Sequence, residues 1–205
     1  VSYAKKILGK EFDFKLFKYQ DRLHQAVLNE PPQILGLSNY CWNIELGYTL
    51  IEWAKSINPN LIVIIGGPNF PTTADEKIKF LKSRPLVDFN IESEGEIGFV
   101  RIIQKLKEHN FNVKSLKQTQ ESVVNCSYLY NDKLIEAKIE RIKDVNEIPS
   151  PYLTGTLDEF FKLPLIPMVE TTRGCPFACT FCADGLTIKN KIYSYDTKRV
   201  EKELS

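Results

Sequence analysis

Leu61-Ile62-Val63-Ile64-Ile65-Gly66-Gly67-Pro68 sets five aliphatic residues in a row and then stops on two glycines and a proline. A run this short and uninterrupted predicts a strand covered on both faces, the situation of a central strand in a parallel sheet. It is far too short to cross a membrane, which takes about 20 apolar residues. Open parallel sheets bind ligands at the C-terminal ends of their strands. Glycines placed there let the backbone approach a bulky ligand. Gly66 and Gly67 are therefore the first candidate site residues.

The pattern extends in both directions. Upstream, residues 43–57 predict a helix with Leu46, Leu50, Trp53 and Ile57 along one face. A strand over 33–38 precedes it and ends at Ser38. Further out lie a helix over 21–29, a strand over 12–16 with one wet face, and a helical tail over 2–9 closed by Gly9. Downstream come a helix over 74–82, a strand over 87–91 and a helix over 97–108. Phe99, Ile102, Ile103 and Leu106 form the inner stripe of that last helix. Strands alternating with helices predict an α/β fold with a parallel sheet.

The helix–strand rhythm stops between Phe111 and Pro151. Residues 122–130 and 134–139 read as two strands joined around Asn131-Asp132-Lys133, a hairpin. Ile148-Pro149-Ser150-Pro151 marks a boundary, because proline favours extended chain before it. Residues 165–171 are expected to form a strand, and Asp196 is the expected N-cap of a helix running to Leu204.

Three cysteines follow the 165–171 segment in Arg173-Gly174-Cys175-Pro176-Phe177-Ala178-Cys179-Thr180-Phe181-Cys182, a C-x3-C-x2-C run. Iron–sulfur cubanes are usually held by four cysteines. A set of three leaves one iron with an open position for a ligand. A zinc site on the same thiols needs a fourth ligand, and the two histidines, His24 and His109, are distant in sequence. A bacterial ferredoxin run has a different order and a fourth cysteine. Cys41 and Cys126 have no partner at metal spacing and are expected to be small buried hydrophobes.

The cysteine run resembles the signature of the radical S-adenosylmethionine (SAM) superfamily. Leu35-Gly36-Leu37-Ser38, Ile65-Gly66-Gly67-Pro68 and Glu94-Gly95-Glu96 resemble the cobalamin-binding domain that precedes the barrel in many of those enzymes. The resemblance implies a Rossmann-like cobalamin-binding domain over 1–112, a hairpin and interdomain linker over 113–163, and the start of a partial (β/α) barrel over 164–205. It implies a 4Fe-4S cluster on Cys175, Cys179 and Cys182. SAM would chelate the open iron, with Phe181 beside its adenine. An electron from the cluster would break a sulfonium carbon–sulfur bond and release a 5′-deoxyadenosyl radical. Cobalamin would lie in a crevice lined by Ser38, Gly66, Gly67, Glu94 and Gly95. Methyl transfer to an unactivated centre is the commonest outcome of this pairing. A small-molecule or natural-product substrate and an electron donor such as flavodoxin or ferredoxin are the implied partners. No catalytic side chain is identified.

The sequence departs from the family pattern in two ways. The family sheet has five strands in the order 2-1-3-4-5, and four are legible here. A missing first strand would leave its neighbours about 9 to 10 Å apart, twice the normal spacing. N-terminal truncation is therefore expected. A barrel also needs more βα units than follow Cys182, so the 205-residue piece is expected to be inactive alone. A D-x-H-x-x-G segment is absent, so cobalamin here would have no histidine below cobalt. Two alternatives stay open: a radical enzyme whose front domain no longer binds cobalamin, and a non-catalytic cobalamin-binding module.

A formal net charge of +1, with Lys and Arg spread along the chain, argues against nucleic acid as the partner. No secretory signal opens the chain, and clustered thiols fit a reducing interior, so cytoplasm is the expected compartment.

Overall fold

The computed structural model describes residues 1–182 and 189–205. They form two compact units, Lys15–Arg141 and a second made of Val1–Phe14 with Ile142–Ser205.

The unit Lys15–Arg141 is α/β with a mostly parallel central sheet. Strands β1 (Ile34–Ser38), β2 (Ile62–Gly66) and β3 (Phe89–Ile91) pair in parallel, with Ser38 opposite Gly66 and Gly66 opposite Ile91. The hairpin β4 (Cys126–Tyr130) and β5 (Lys133–Glu136) adds two antiparallel strands beside β3. The hairpin expected in a linker is thus the far edge of the sheet. Asn131 and Asp132 form its two-residue turn with φ of 47° and 64°, the primed geometry that suits strand twist.

Helices cover both faces. On one lie α2 (Gln20–Asn29), α3 (Ile44–Ile57) and α4 (Ala74–Lys82), burying Val27, Ile51, Ala54 and Leu81 against Leu35, Val63 and Ile65. On the other lie α5 (Gly95–Glu108) and α6 (Val113–Thr119). Ile102, Ile103, Leu106 and Leu116 are buried there beside the edge-to-face pair Phe89–Tyr128. The two-sided burial expected for β2 is observed, with residues 61–65 at most 3% exposed.

Several expectations need correction. The inner stripe of α3 is Leu50, Ile51 and Ala54, while Leu46 is 53% exposed. Helix α6 was not expected. It starts where the Asn112 side chain accepts the Ser115 backbone N–H, an N-cap that the short polar sequence obscures. Residues 12–16 are extended at Phe12 but join neither sheet. Alternation alone makes a ribbon with two faces; a strand also needs a hydrogen-bonded neighbour.

The second unit contains α1 (Ser2–Leu8), ended by Gly9 at φ 67°. It also contains the short antiparallel pair β6 (Thr172–Arg173) and β7 (Tyr193–Ser194). The strand expected over 165–171 is not formed. Pro167 removes a backbone donor from that stretch and Pro164 another just before it, and pairing begins only at Thr172. Helix α7 (Thr197–Leu204) starts at Asp196, whose carboxylate accepts the Lys198 N–H at 2.8 Å, as expected.

Candidate cofactor sites

The first candidate site is the C-terminal end of β1, β2 and β3. Parallel pairing puts Ser38 beside Gly66 by register alone. Beyond them the β1–α3 and β2–α4 turns lock together through Asn39. Its N–H donates to Gly66 O at 2.7 Å, its carbonyl accepts the Asn69 N–H, and its Oδ1 accepts Asn69 Nδ2 at 3.1 Å. Gly67 lies against this turn at φ 144°, where an added Cβ would stand 2.4 Å from Asn39 O. Only glycine allows that approach. Asn39 is fully buried, and its Nδ2 has no partner among the described residues. Ser38 is exposed and its Oγ accepts Asn43 Nδ2 at 3.1 Å.

Gly95 opens α5 at the same end of the sheet. A Cβ there, or at exposed Gly36 two residues before Ser38, would meet nothing within 4 Å. That open backbone surface fits a bulky ring. Glu94 is different: its carboxylate is committed to Arg141 at 2.9 Å, in a pair whose side chains are both over nine-tenths buried. The sequence reading missed the stacked rings of Tyr40 and Trp42, 4.6 Å apart, with Trp42 76% exposed beside this end of the sheet. Two aromatics between a strand and a helix start were the available signal.

The enclosed space beneath these turns is only about 10 Å³, lined by Ser38, Asn39, Gly47, Tyr48 and Ile65 among others. That is room for one water at most, so a larger ligand would have to use the exposed surface. A broader concavity of about 570 Å³ is lined by Arg101, Gln104, Lys107 and Glu108 of α5. Among the described residues it brings together only the solvated face of one helix.

The second candidate site is the cysteine loop. β6 delivers it and Gly174 turns it at φ 111°, where a Cβ would stand 2.3 Å from Lys191 O. Cys175 N–H donates to Lys189 O at 2.9 Å, and Cys182 N–H to Cys179 O at 3.1 Å. Cys175 is half-buried, Cys179 and Cys182 are exposed, and all are thiols rather than disulfides. Phe181 is 92% exposed. Among the described residues no three His, Cys, Asp or Glu side chains converge as a metal-binding group. The loop therefore brings the three cysteines into one segment without gathering their sulfurs. As a donor set, three thiols on one loop fit iron–sulfur or zinc chemistry. Of the other cysteines, Cys126 is buried as expected, and burial pushes its thiol pKa well up. Cys41 is exposed, contrary to expectation, because it lies in the open β1–α3 turn.

Comparison with known proteins bears on both sites. No protein-family model matches the chain. It is 28% identical over 204 residues to 2-(S-pantetheinyl)-carbapenam-3-carboxylate methyltransferase of Streptantibioticus cattleyicolor, covering 96% of this chain and 28% of that protein. It is 28% identical over 184 residues to the cobalamin-dependent radical SAM methyltransferase TokK of Streptomyces tokunonensis, covering 84% of this chain and 25% of TokK. This chain is a homologue of cobalamin-dependent radical SAM methyltransferases. An uncharacterized methyltransferase of Pyrococcus horikoshii is 30% identical over 177 residues, covering 85% of this chain and 36% of that protein. The chain thus spans about a quarter to a third of the length of these methyltransferase homologues. No helix among the described residues is long and apolar enough to cross a membrane.

Proposed function

We propose that this chain carries the two cofactor-binding parts of a cobalamin-dependent radical SAM methyltransferase acting on a small molecule. The similarity to TokK over 84% of the chain carries the reading. Bound in these two places, the cofactors would supply a reducing electron, a SAM-derived radical and a transferable methyl group.

This chain's own residues have the binding tasks. Cys175, Cys179 and Cys182 would hold the cluster, with Phe181 next to it for SAM. The exposure of Cys179 and Cys182 leaves those thiols open to incoming iron. Ser38, Gly66, Gly67 and Gly95 would receive cobalamin on the exposed end of the sheet, bordered by Tyr40 and Trp42. Glu94 would serve through the turn that its pair with Arg141 holds, and not through its carboxylate. The electron would come from a flavodoxin- or ferredoxin-type donor.

Anaerobic reconstitution of the full-length protein with iron, sulfide and hydroxocobalamin, followed by metal and corrinoid quantitation, tests this. One cubane and one corrinoid per chain are expected. A cubane without corrinoid would leave a radical enzyme and remove methylation from the proposal. The 205-residue piece alone is expected to make no 5′-deoxyadenosine.

A further inference from the structure

The cysteine loop hangs on a narrow neck. One side is Thr172, Arg173 and Gly174; the other is Lys189 to Tyr195. The two sides are joined by the β6–β7 pair, by Cys175 N–H to Lys189 O, and by Tyr195 N–H to Thr171 O at 3.1 Å. Close contact of Gly174 with Lys191 O completes it.

Tyr195 sits at the base of this neck and is only 8% exposed. Its hydroxyl donates to Glu170 Oε2 at 3.1 Å and accepts from Arg173 Nη2 at 3.4 Å. Arg173 grips the same carboxylate through Nε and Nη2, the latter at 2.8 Å. The Arg199 guanidinium lies 4.2 Å above the Tyr195 ring. Arg199 also donates to Ile148 O and pairs with Glu203 at 3.0 Å. One side chain thus ties the residues entering the loop to the helix that follows it.

We infer that Tyr195, acting through Glu170 and Arg173, is a positioning residue for the cysteine loop. It fixes the direction in which Cys175 leaves β6. Glu170 is exposed, but donors from Arg173 and the buried Tyr195 converge on its one carboxylate, and such a set holds a geometry that a single exposed bond would not. The inference rests on the proposed role of the three cysteines only for its consequence, which is retention of the cluster.

The test uses the full-length protein and the variants Tyr195→Phe and Tyr195→Leu. Tyr195→Phe keeps the ring beneath Arg199 and removes both hydroxyl bonds, so it carries the test should Tyr195→Leu fail to fold. In metal-free protein, amide hydrogen exchange at Cys175 is expected to quicken about fivefold in Tyr195→Phe, the scale of one lost hydrogen bond. The amides of Val200 in α7 and of Ser205 at its C-terminal cap should keep their rates. After reconstitution with iron and sulfide, iron loss to a chelator should quicken by a similar factor, with an altered electron paramagnetic resonance spectrum of the reduced cluster. Unchanged Cys175 exchange in both variants overturns the inference. So does equal acceleration throughout α7, which would mark general loosening. A wild-type protein that takes up no iron, yet shows Tyr195-dependent exchange, sinks the cluster reading and leaves the bracing of the neck standing.

Discussion

At Gly67 a single hydrogen atom in place of a side chain decides whether two turns can meet. Gly67→Ala would drive a methyl into Asn39 O, 2.4 Å away, at a φ of 144° that L residues rarely adopt. A loss of about 2–4 kcal/mol is expected, read as a lower urea midpoint. Lys117 shows the opposite case, a residue that costs stability where it stands. Its amine lies 5.3 Å from the Phe89 ring centre and 5.9 Å from that of Tyr128. Burial holds its pKa below the ordinary value, and the attraction of Asp88 only partly offsets this. A lysine whose folded pKa is lowered binds its proton less well in the folded state. Its charge therefore weakens folding below the folded pKa, and the penalty fades as pH rises towards 10.5. Lys117→Met should stabilise by about 1 kcal/mol at pH 7. Chemical denaturation of wild type and variant side by side should show that gain vanishing by pH 10.5.

At the scale of elements, the hairpin turn offers a direct test of backbone cost. Asp132 holds φ 64° with only an exposed ion pair to Lys82 in return. Such surface pairs are worth little, so Asp132→Gly should raise the urea midpoint by an amount equal to about 0.5–1 kcal/mol. The elements differed in how well the sequence announced them. Residues 61–65 were legible because five aliphatics leave no polar face, and 131–132 because the turn type constrains its residues. The Cys175, Cys179 and Cys182 set was singled out by thiol spacing, which points to metal chemistry whatever the fold, and its sulfurs do not converge here. Helix α6 was hidden, since Leu116 is its one fully buried residue. Residues 12–16 and 165–171 misled for a shared reason: pattern gives a strand its faces, while partners and free N–H groups give it existence. Asn39 and Tyr195 could not have been picked out, because their neighbours come from segments up to 30 residues away in sequence.

At the scale of the whole molecule, the two units differ in how much they bury. Lys15–Arg141 has its own two-sided core, with Val63, Phe89, Ile102, Leu106 and Leu116 fully inaccessible. The other unit buries a shorter set, including Ala4, Ile142, Val145, Ile148 and Tyr195. Lys15–Arg141 made alone is expected to unfold in one cooperative urea transition. Hydrogen exchange in the 205-residue chain should be faster across 142–182 and 189–205. Failure of the shorter piece to fold would mean that its core is not self-sufficient. The Glu94–Arg141 pair has a kinetic meaning as well. It joins residues 47 apart in sequence, and Asn125 links the same two ends by binding Glu94 O and the Glu140 backbone. Everything from α5 through the hairpin must be in place before these groups can meet. A clasp of that kind is expected to close late in folding, after the transition state. Arg141→Ala should therefore leave the refolding rate nearly unchanged and speed unfolding, so that the clasp sets how long the sheet lasts once formed.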